Sequence, residues 1–273
     1  MAVLTVAALA GFSANSLLTR VALDTRAIDA SSFLIVRLAS GAITLAAIAG
    51  WQRARAAGSW PSALALTAYG LAFTRAYLRI GAGAGALLLF GTVQATMIAW
   101  ALRRGERPRL VDWLGLALAI GGLLLLTAPG LTAPDALGSA LMIVAGAAWG
   151  VYSLRGRRGE TPLAATAGNF LLAVPLAIIA VLPARPDLTL TGRGVWLAVV
   201  SGSITSGLAY AAWYSVLPRL TAWRAAIVQL SVPVVTALAA AVLLGEAITL
   251  RLALAGAAII GGVLLSVATR SSR

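Results

Sequence analysis

The chain has 273 residues, 60% of them hydrophobic, a mean hydropathy of +0.95 and a formal charge of +13. That composition exceeds what a soluble core and surface can share, so a water-soluble fold is excluded and a bilayer is the implied solvent. Cysteine and histidine are absent and all 21 basic residues are arginine, which excludes disulfides and thiolate metal sites and removes most catalytic groups.

A spanning helix needs about 20 mostly apolar residues. Taken in order, the apolar stretches predict helices over 2–20, 31–51, 61–78, 80–102, 111–130, 136–154, 162–182, 194–217, 222–244 and 251–268. The first carries Phe12, Ser13, Asn15 and Ser16 without a basic leader or a small-residue cleavage site, and is read as a retained span rather than a signal peptide. The second holds Arg37, the third ends on Tyr77, and the fourth contains Gly81, Gly85, Phe90, Gln94 and Trp100. Trp149, Gly150 and Tyr152 lie in the sixth, Asn169 in the seventh, Tyr210, Trp213 and Tyr214 in the eighth, and Gln229 and Pro233 in the ninth. The connections are too short to hide a soluble domain.

The arginines report orientation. With the first residue in the cytoplasm, inside loops collect 13 of them, among them Arg53, Arg103, Arg104, Arg155 and Arg224, against 7 outside, with Arg37 left in a span. The positive-inside rule places both termini in the cytoplasm. The charge is an orientation signal, so nucleic acid is not an expected partner.

A duplication is visible in the same string. Glu106 precedes Gly121-Gly122 at the distance by which Glu246 precedes Gly261-Gly262, and a shift of 140 residues superposes the two glutamates. Phe12 to Ser16 then falls near Trp149 to Ser153, and Val93-Gln94 lies close to the counterpart of Gln229 to Pro233. Five spans per copy force the second copy into the membrane upside down, an arrangement used by transporters that bind solute near the midplane between repeats. The expected fold is an all-α integral membrane protein, ten transmembrane helices arranged as two inverted five-helix repeats, 1–130 and 131–273, around a central cavity.

On these repeat endings, on Pro233 thirteen residues before Glu246 and on Arg37, the chain resembles the drug/metabolite transporter superfamily, specifically its ten-helix members with two EamA-type repeats. The segment Tyr77 to Gln94 is similar to bacterial amino-acid exporters of the YddG kind. Two positions depart from the pattern, Val93 in place of proline and Phe12-Ser13 in place of an aromatic-glycine pair. The resemblance implies a multi-pass inner-membrane exporter of small metabolites, amino acids with aromatic or other apolar side chains among them.

Polar groups at membrane depth are tolerated where they face protein or water. Arg37 costs about 2.5 to 3.5 kcal/mol in a span on insertion scales, so it faces the interior, where it recognises a carboxylate or braces neighbouring carbonyls. Gln94 and Gln229 either hold the ends of a zwitterion or pair helices. Phe12, Asn15, Tyr77, Phe90, Trp100, Trp149, Tyr152, Tyr210 and Tyr214 complete the expected substrate-binding set, an apolar pocket with aromatic walls. Trp51, Trp60, Trp113 and Trp196 belong to the interfacial belt. Gly81, Gly85, Gly150 and Pro233 are candidate hinge or gating positions, with close packing the competing role.

No catalytic residues, metal or cofactor are expected. All eight acidic residues fall in predicted loops or at span ends, without the paired carboxylates or serine partners that intramembrane hydrolysis needs. The expected partners are a small-molecule substrate and membrane lipid, with a monomer favoured. A facilitative carrier is the leading expectation; a proton-coupled drug, nucleoside or sugar exporter is the alternative within the superfamily, and a non-transporting scaffold the alternative outside it.

Overall fold

In a computed structural model the residues described are 1–80, 82–127, 135–156, 161–182, 188–244 and 249–268. Gly81 and Glu246, singled out above, lie outside them. The described residues are almost entirely helical, with one isolated bridge between Ile28 and Leu190.

The first half runs α1 (Ala2–Asp24), α2 (Ala30–Ala49), a short α3 (Trp51–Ala57), α4 (Trp60–Ala76), α5 (Ala82–Arg103) and α6 (Leu110–Thr127). The second runs α7 (Ala136–Gly156), α8 (Pro162–Val181), α9 (Gly192–Val200), a π-helical segment Ser201–Leu208, α10 (Ala209–Val216), α11 (Ala222–Gln229), α12 (Ser231–Leu244) and α13 (Leu250–Ala268). Local chemistry marks the starts. Asp29 accepts from the amides of Ser31 and Ser32 to cap α2, and Thr191 and Thr221 do the same for α9 and α11. Proline stands in the first turn of α4 and of α8, where its missing N–H costs nothing.

Two expected spans are not uniform helices. The eighth passes from α to π at Ser201 and back at Ala209. The ninth breaks at Leu230, between α11 and α12. Pro233 explains the position, because a helical proline clashes with the carbonyl four residues earlier, here that of Gln229, and cannot donate to it. The sequence reading also missed α3, which follows Gly50 at φ 87°, and the interior Pro175 of α8.

Among the described residues, five helical stretches are long and apolar enough to cross a bilayer: Ala2–Asp24, Ala30–Ala49, Ala136–Gly156, Pro162–Val181 and the composite Gly192–Arg219. Shorter apolar stretches lie at Leu87–Arg103, Leu110–Leu126, Ala222–Thr236 and Leu250–Ser266. The surface is inverted relative to a soluble protein. Val3, Ile43, Leu64 and Leu264 are exposed, while Asn15, Thr19, Arg37, Gln94, Asn169, Ser201 and Gln229 are buried. Apolar side chains outside and polar ones inside is the distribution lipid imposes.

Packing follows small residues. α6 lies along α13, where a β-carbon on Gly122 would strike the Ala255 carbonyl and one on Gly262 the Gly115 carbonyl. Only the second glycine of each pair is needed for this, since Gly121 has open space beside it. α4 packs on α7, α2 on α8, α5 on α7 and α1 on α12, and the π segment crosses both α1 and α2. Gly146 and Gly150 let α7 approach α5 against Leu89, Thr92 and Thr96, and Gly85 meets Met142, so these glycines sit in a helix interface.

Candidate functional site

α1, α4, α7 and α10 meet around a cluster of aromatic rings. Trp149 is its centre, with ring centroids 5.3 Å from Phe12, 5.1 Å from Tyr69, 5.7 Å from Tyr152 and 4.7 Å from Tyr210. Phe12 also meets Tyr210 and Trp213 edge-on. Each such pair adds about 0.5 to 1.5 kcal/mol beyond burial. A small cavity of about 30 Å³ opens among Phe12, Asn15, Tyr69, Phe73, Phe90, Trp149, Tyr210 and Gln229.

Two of its wall residues, Tyr69 and Phe73, were absent from the expected set. The signal was present, since Tyr69, Phe73 and Tyr77 recur at helical spacing, which places them on one face of α4. Tyr77 continues that stripe, with its ring edge-on to Phe73 at 4.7 Å, but does not line the cavity.

Polar groups stand immediately behind the rings. The Arg37 guanidinium is 2% exposed. Its Nε donates to Ser206 Oγ at 2.8 Å, one Nη donates to the Tyr210 hydroxyl at 2.8 Å, and the group lies 5.7 Å over the Tyr69 ring. The other Nη finds no hydrogen-bond acceptor among the described residues. Arg37 is therefore not a wall residue but a charge one layer back, reaching the cavity through Tyr210. Asn15 does line the cavity, and its Oδ1 accepts from Ser201 Oγ at 2.8 Å and Ser206 Oγ at 3.3 Å. The π segment places Ser201 and Ser206 toward α1 and α2. Gly202 permits this, because a β-carbon there would collide with the Arg37 carbonyl.

The two glutamines have different surroundings. Gln229 lines the cavity, takes the Trp149 indole N–H on Oε1 at 2.6 Å, and donates to Ala225 O and Met97 Sδ. Gln94 donates to Ala226 O and ties α5 to α11, outside the cavity wall. The sequence equivalence of the two positions does not extend to their contacts.

A larger cavity of about 330 Å³ lies toward one end of the bundle, lined among others by Ser59, Ser62, Trp100, Arg155, Asn169 and Tyr214. Trp100 and Tyr214 belong here, not to the central cluster. Arg155 donates to Ser62 Oγ at 3.0 Å and to Ser59 Oγ at 3.3 Å, and Asn169 accepts from the Ser59 amide. Tyr152 and Tyr214 stand between the two cavities, the Tyr214 hydroxyl donating to the Tyr152 carbonyl at 2.8 Å. At the opposite end, backbone bonds join Asp29 to Thr189 and Thr191 to Ala27, and Arg79 pairs with Asp135.

Glu106 has a role the sequence did not reveal. Its carboxylate oxygens accept from the Ala222 amide at 2.9 Å and the Trp223 amide at 3.1 Å. The loop of the first half thus caps the broken helix of the second, with the carboxylate favourably placed at the positive end of a helix dipole.

Comparison with known proteins agrees with this architecture. Residues 136–268 match the EamA-like transporter family. The chain is 50% identical over 273 residues to the uncharacterized protein PA1977 of Pseudomonas aeruginosa, covering 99% of this chain and 95% of that protein. It is 26% identical over 226 residues to an uncharacterized transporter of Archaeoglobus fulgidus, covering 77% and 78% of the two chains. A protein of known crystal structure superposes with a TM-score of 0.77 at 21% identity, over 97% of this chain and 99% of that one. Taken with the helical, lipid-facing build, residues 136–268 are an EamA-like transporter domain, and the chain is a member of the drug/metabolite transporter superfamily.

Proposed function

We propose that the protein is a facilitative carrier of the bacterial inner membrane that exports small metabolites with an apolar body, amino acids with aromatic side chains among them, by alternating access. The observation that carries the reading is the ring cluster of Phe12, Tyr69, Trp149 and Tyr210 around a cavity that also presents Asn15 and Gln229. Few polar groups set among aromatic walls suit a solute with a bulky apolar part and one or two hydrogen-bonding ends, which a space of about 30 Å³ admits only when the walls part during the transport cycle.

The ten-span, inverted-repeat reading is supported by how contacts exchange under the 140-residue shift. Gly115 and Gly122 become Ala255 and Gly262, and the pairs Gly122 with Ala255 and Gly262 with Gly115 are the close approaches of α6 and α13. Likewise α4 on α7 becomes the eighth span on α1, and α5 on α7 becomes α12 on α1. A solute site at the centre of such a pair can be exposed to either side by rocking one repeat on the other. With both termini cytoplasmic, the larger cavity at Ser59 and Arg155 opens inward, where an exporter loads.

Facilitation is favoured over proton exchange because, among the described residues, neither cavity wall carries a carboxylate, lysine or histidine, Arg155 of the larger cavity being the charged group, and arginine does not titrate at working pH. The test is counterflow in tight proteoliposomes against amino acids, nucleosides, sugars and cationic drugs, with a pH-sensitive dye recording alongside. Exchange of aromatic amino acids without stoichiometric proton movement is expected. Proton flux opposite to the solute selects the antiport mechanism instead, and no exchange of any solute leaves the scaffold reading.

A further inference from the structure

The donor and acceptor balance around the central cavity, with the charge behind it, narrows what the solute is, given the reading of that cavity as the solute site. Arg37 is buried among α2, the π segment and α10, with one guanidinium nitrogen lacking an acceptor and no carboxylate partner among the described residues. Of the described carboxylates, Asp29 holds the start of α2, Glu106 the start of α11 and Asp112 Ser266, while Asp24 and Asp135 pair with surface arginines. A buried cation without a counter-ion leaves a positive potential in the low-dielectric space beside it.

The wall groups have matching polarity. The Tyr210 oxygen accepts from Arg37 and its hydroxyl adjoins that of Tyr69, so the tyrosine pair retains one proton to donate into the cavity, and charge-assisted bonding to the Tyr210 oxygen strengthens that donation. Asn15 has its oxygen engaged by two serine hydroxyls, which leaves its amide N–H groups as what it offers. The Gln229 oxygen is taken by Trp149. Apart from Ser16 Oγ, whose proton goes to the Phe12 carbonyl, and the backbone carbonyl of Gln229, the wall thus presents donors rather than acceptors. Among the described residues, no wall residue carries a negative charge to meet an ammonium group, and Arg155 at the larger cavity continues the same sign outward.

We propose that the solute is recognised as a carboxylate on an aromatic-sized apolar body, its carboxylate received by the Tyr69 and Tyr210 hydroxyl pair and the Asn15 amide beside Arg37, and that an ammonium group on the solute is not required. Organic acids such as 2-hydroxy analogues of aromatic amino acids then belong to the same substrate class as the amino acids themselves. Arg37 acts through Tyr210 and is a positioning residue.

Three probes with one phenyl body separate the alternatives: phenyllactate is an anion, phenylalanine a zwitterion and phenylalaninamide a cation. Binding to the purified full chain in detergent is measured by competition. Phenyllactate and phenylalanine are expected to bind within about threefold of one another and phenylalaninamide at least about tenfold more weakly, the scale of one unmatched charge at a partly desolvated site. Equal binding of phenylalaninamide, or phenyllactate about tenfold weaker than phenylalanine, overturns the inference while leaving the aromatic site intact. Binding of none of the three overturns the functional reading and the inference with it. Arg37→Gln is expected to collapse the preference for phenyllactate over phenylalaninamide without weakening the amide, and Arg37→Lys to restore it; a uniform loss across all three in Arg37→Gln marks a purely structural arginine. If Arg37→Gln does not fold, the probe series on the unaltered chain decides alone.

Discussion

The indole N–H of Trp149 donates to Gln229 Oε1 at 2.6 Å, so the central ring of the aromatic cluster is held by the last residue of the broken helix α11. Movement of that helix end and reorientation of the cavity wall are thereby one event. The carbonyl freed by Pro233 is that of Gln229 itself, which places the discontinuity at the wall of the central cavity.

Gln229→Leu is expected to raise the apparent KM for solute about tenfold, because it leaves the Trp149 N–H unpaired at a cost on the order of 1 to 3 kcal/mol. Gln94→Leu is expected to lower thermal stability through the lost bond to Ala226 O with KM little changed. Counterflow kinetics and thermal unfolding of both variants check the split; equal KM effects would contradict it.

Replacing Trp149 or Tyr210 by Ala is expected to reduce transport at least about tenfold, since each removes several ring contacts of about 0.5 to 1.5 kcal/mol. Trp51 and Trp196 are exposed at helix ends, and their Ala variants are expected to transport within about twofold of the parent, as interfacial anchors do when other anchors remain. Initial rates normalised to reconstituted protein provide the comparison.

Glu106→Ala is expected to destabilise the protein by about 0.5 to 2 kcal/mol, the usual loss of a helix cap. Glu106→Gln retains an acceptor and is expected to recover most of it. Solute selectivity is expected to be unchanged in both, because Glu106 lines neither cavity. Melting of the detergent-solubilised variants measures the effect, and a changed order of solute preference would refute the capping role.

Reporter fusions after the first residue, within 103–109 and at the last residue are expected to place all three in the cytoplasm, following the arginine distribution. A periplasmic location for any of them reverses the orientation of the larger cavity and with it the direction of loading.

Much of this protein is readable from its residues in order. The lipid solvent follows from hydropathy, the helical segments from apolar runs bounded by capping residues, and the proposal of a duplication from the spacing of Glu106, Gly122, Glu246 and Gly262. These are properties of one segment or of a regular repeat, so local chemistry suffices. Tyr69 and Phe73 were readable too, as a stripe with Tyr77. What only the tertiary structure decided is which faces of distant helices meet. Sequence placed Arg37 in a span; packing put it behind Tyr210 and Ser206, 173 and 169 residues away. Sequence paired Gln94 with Gln229; packing gave one a backbone carbonyl and the other Trp149. It also moved Trp100 and Tyr214 to the outer cavity and turned Glu106 into a cap for α11. The reason is geometric: helical periodicity says which residues share a face, whereas the neighbour of that face depends on how the helices rotate and cross.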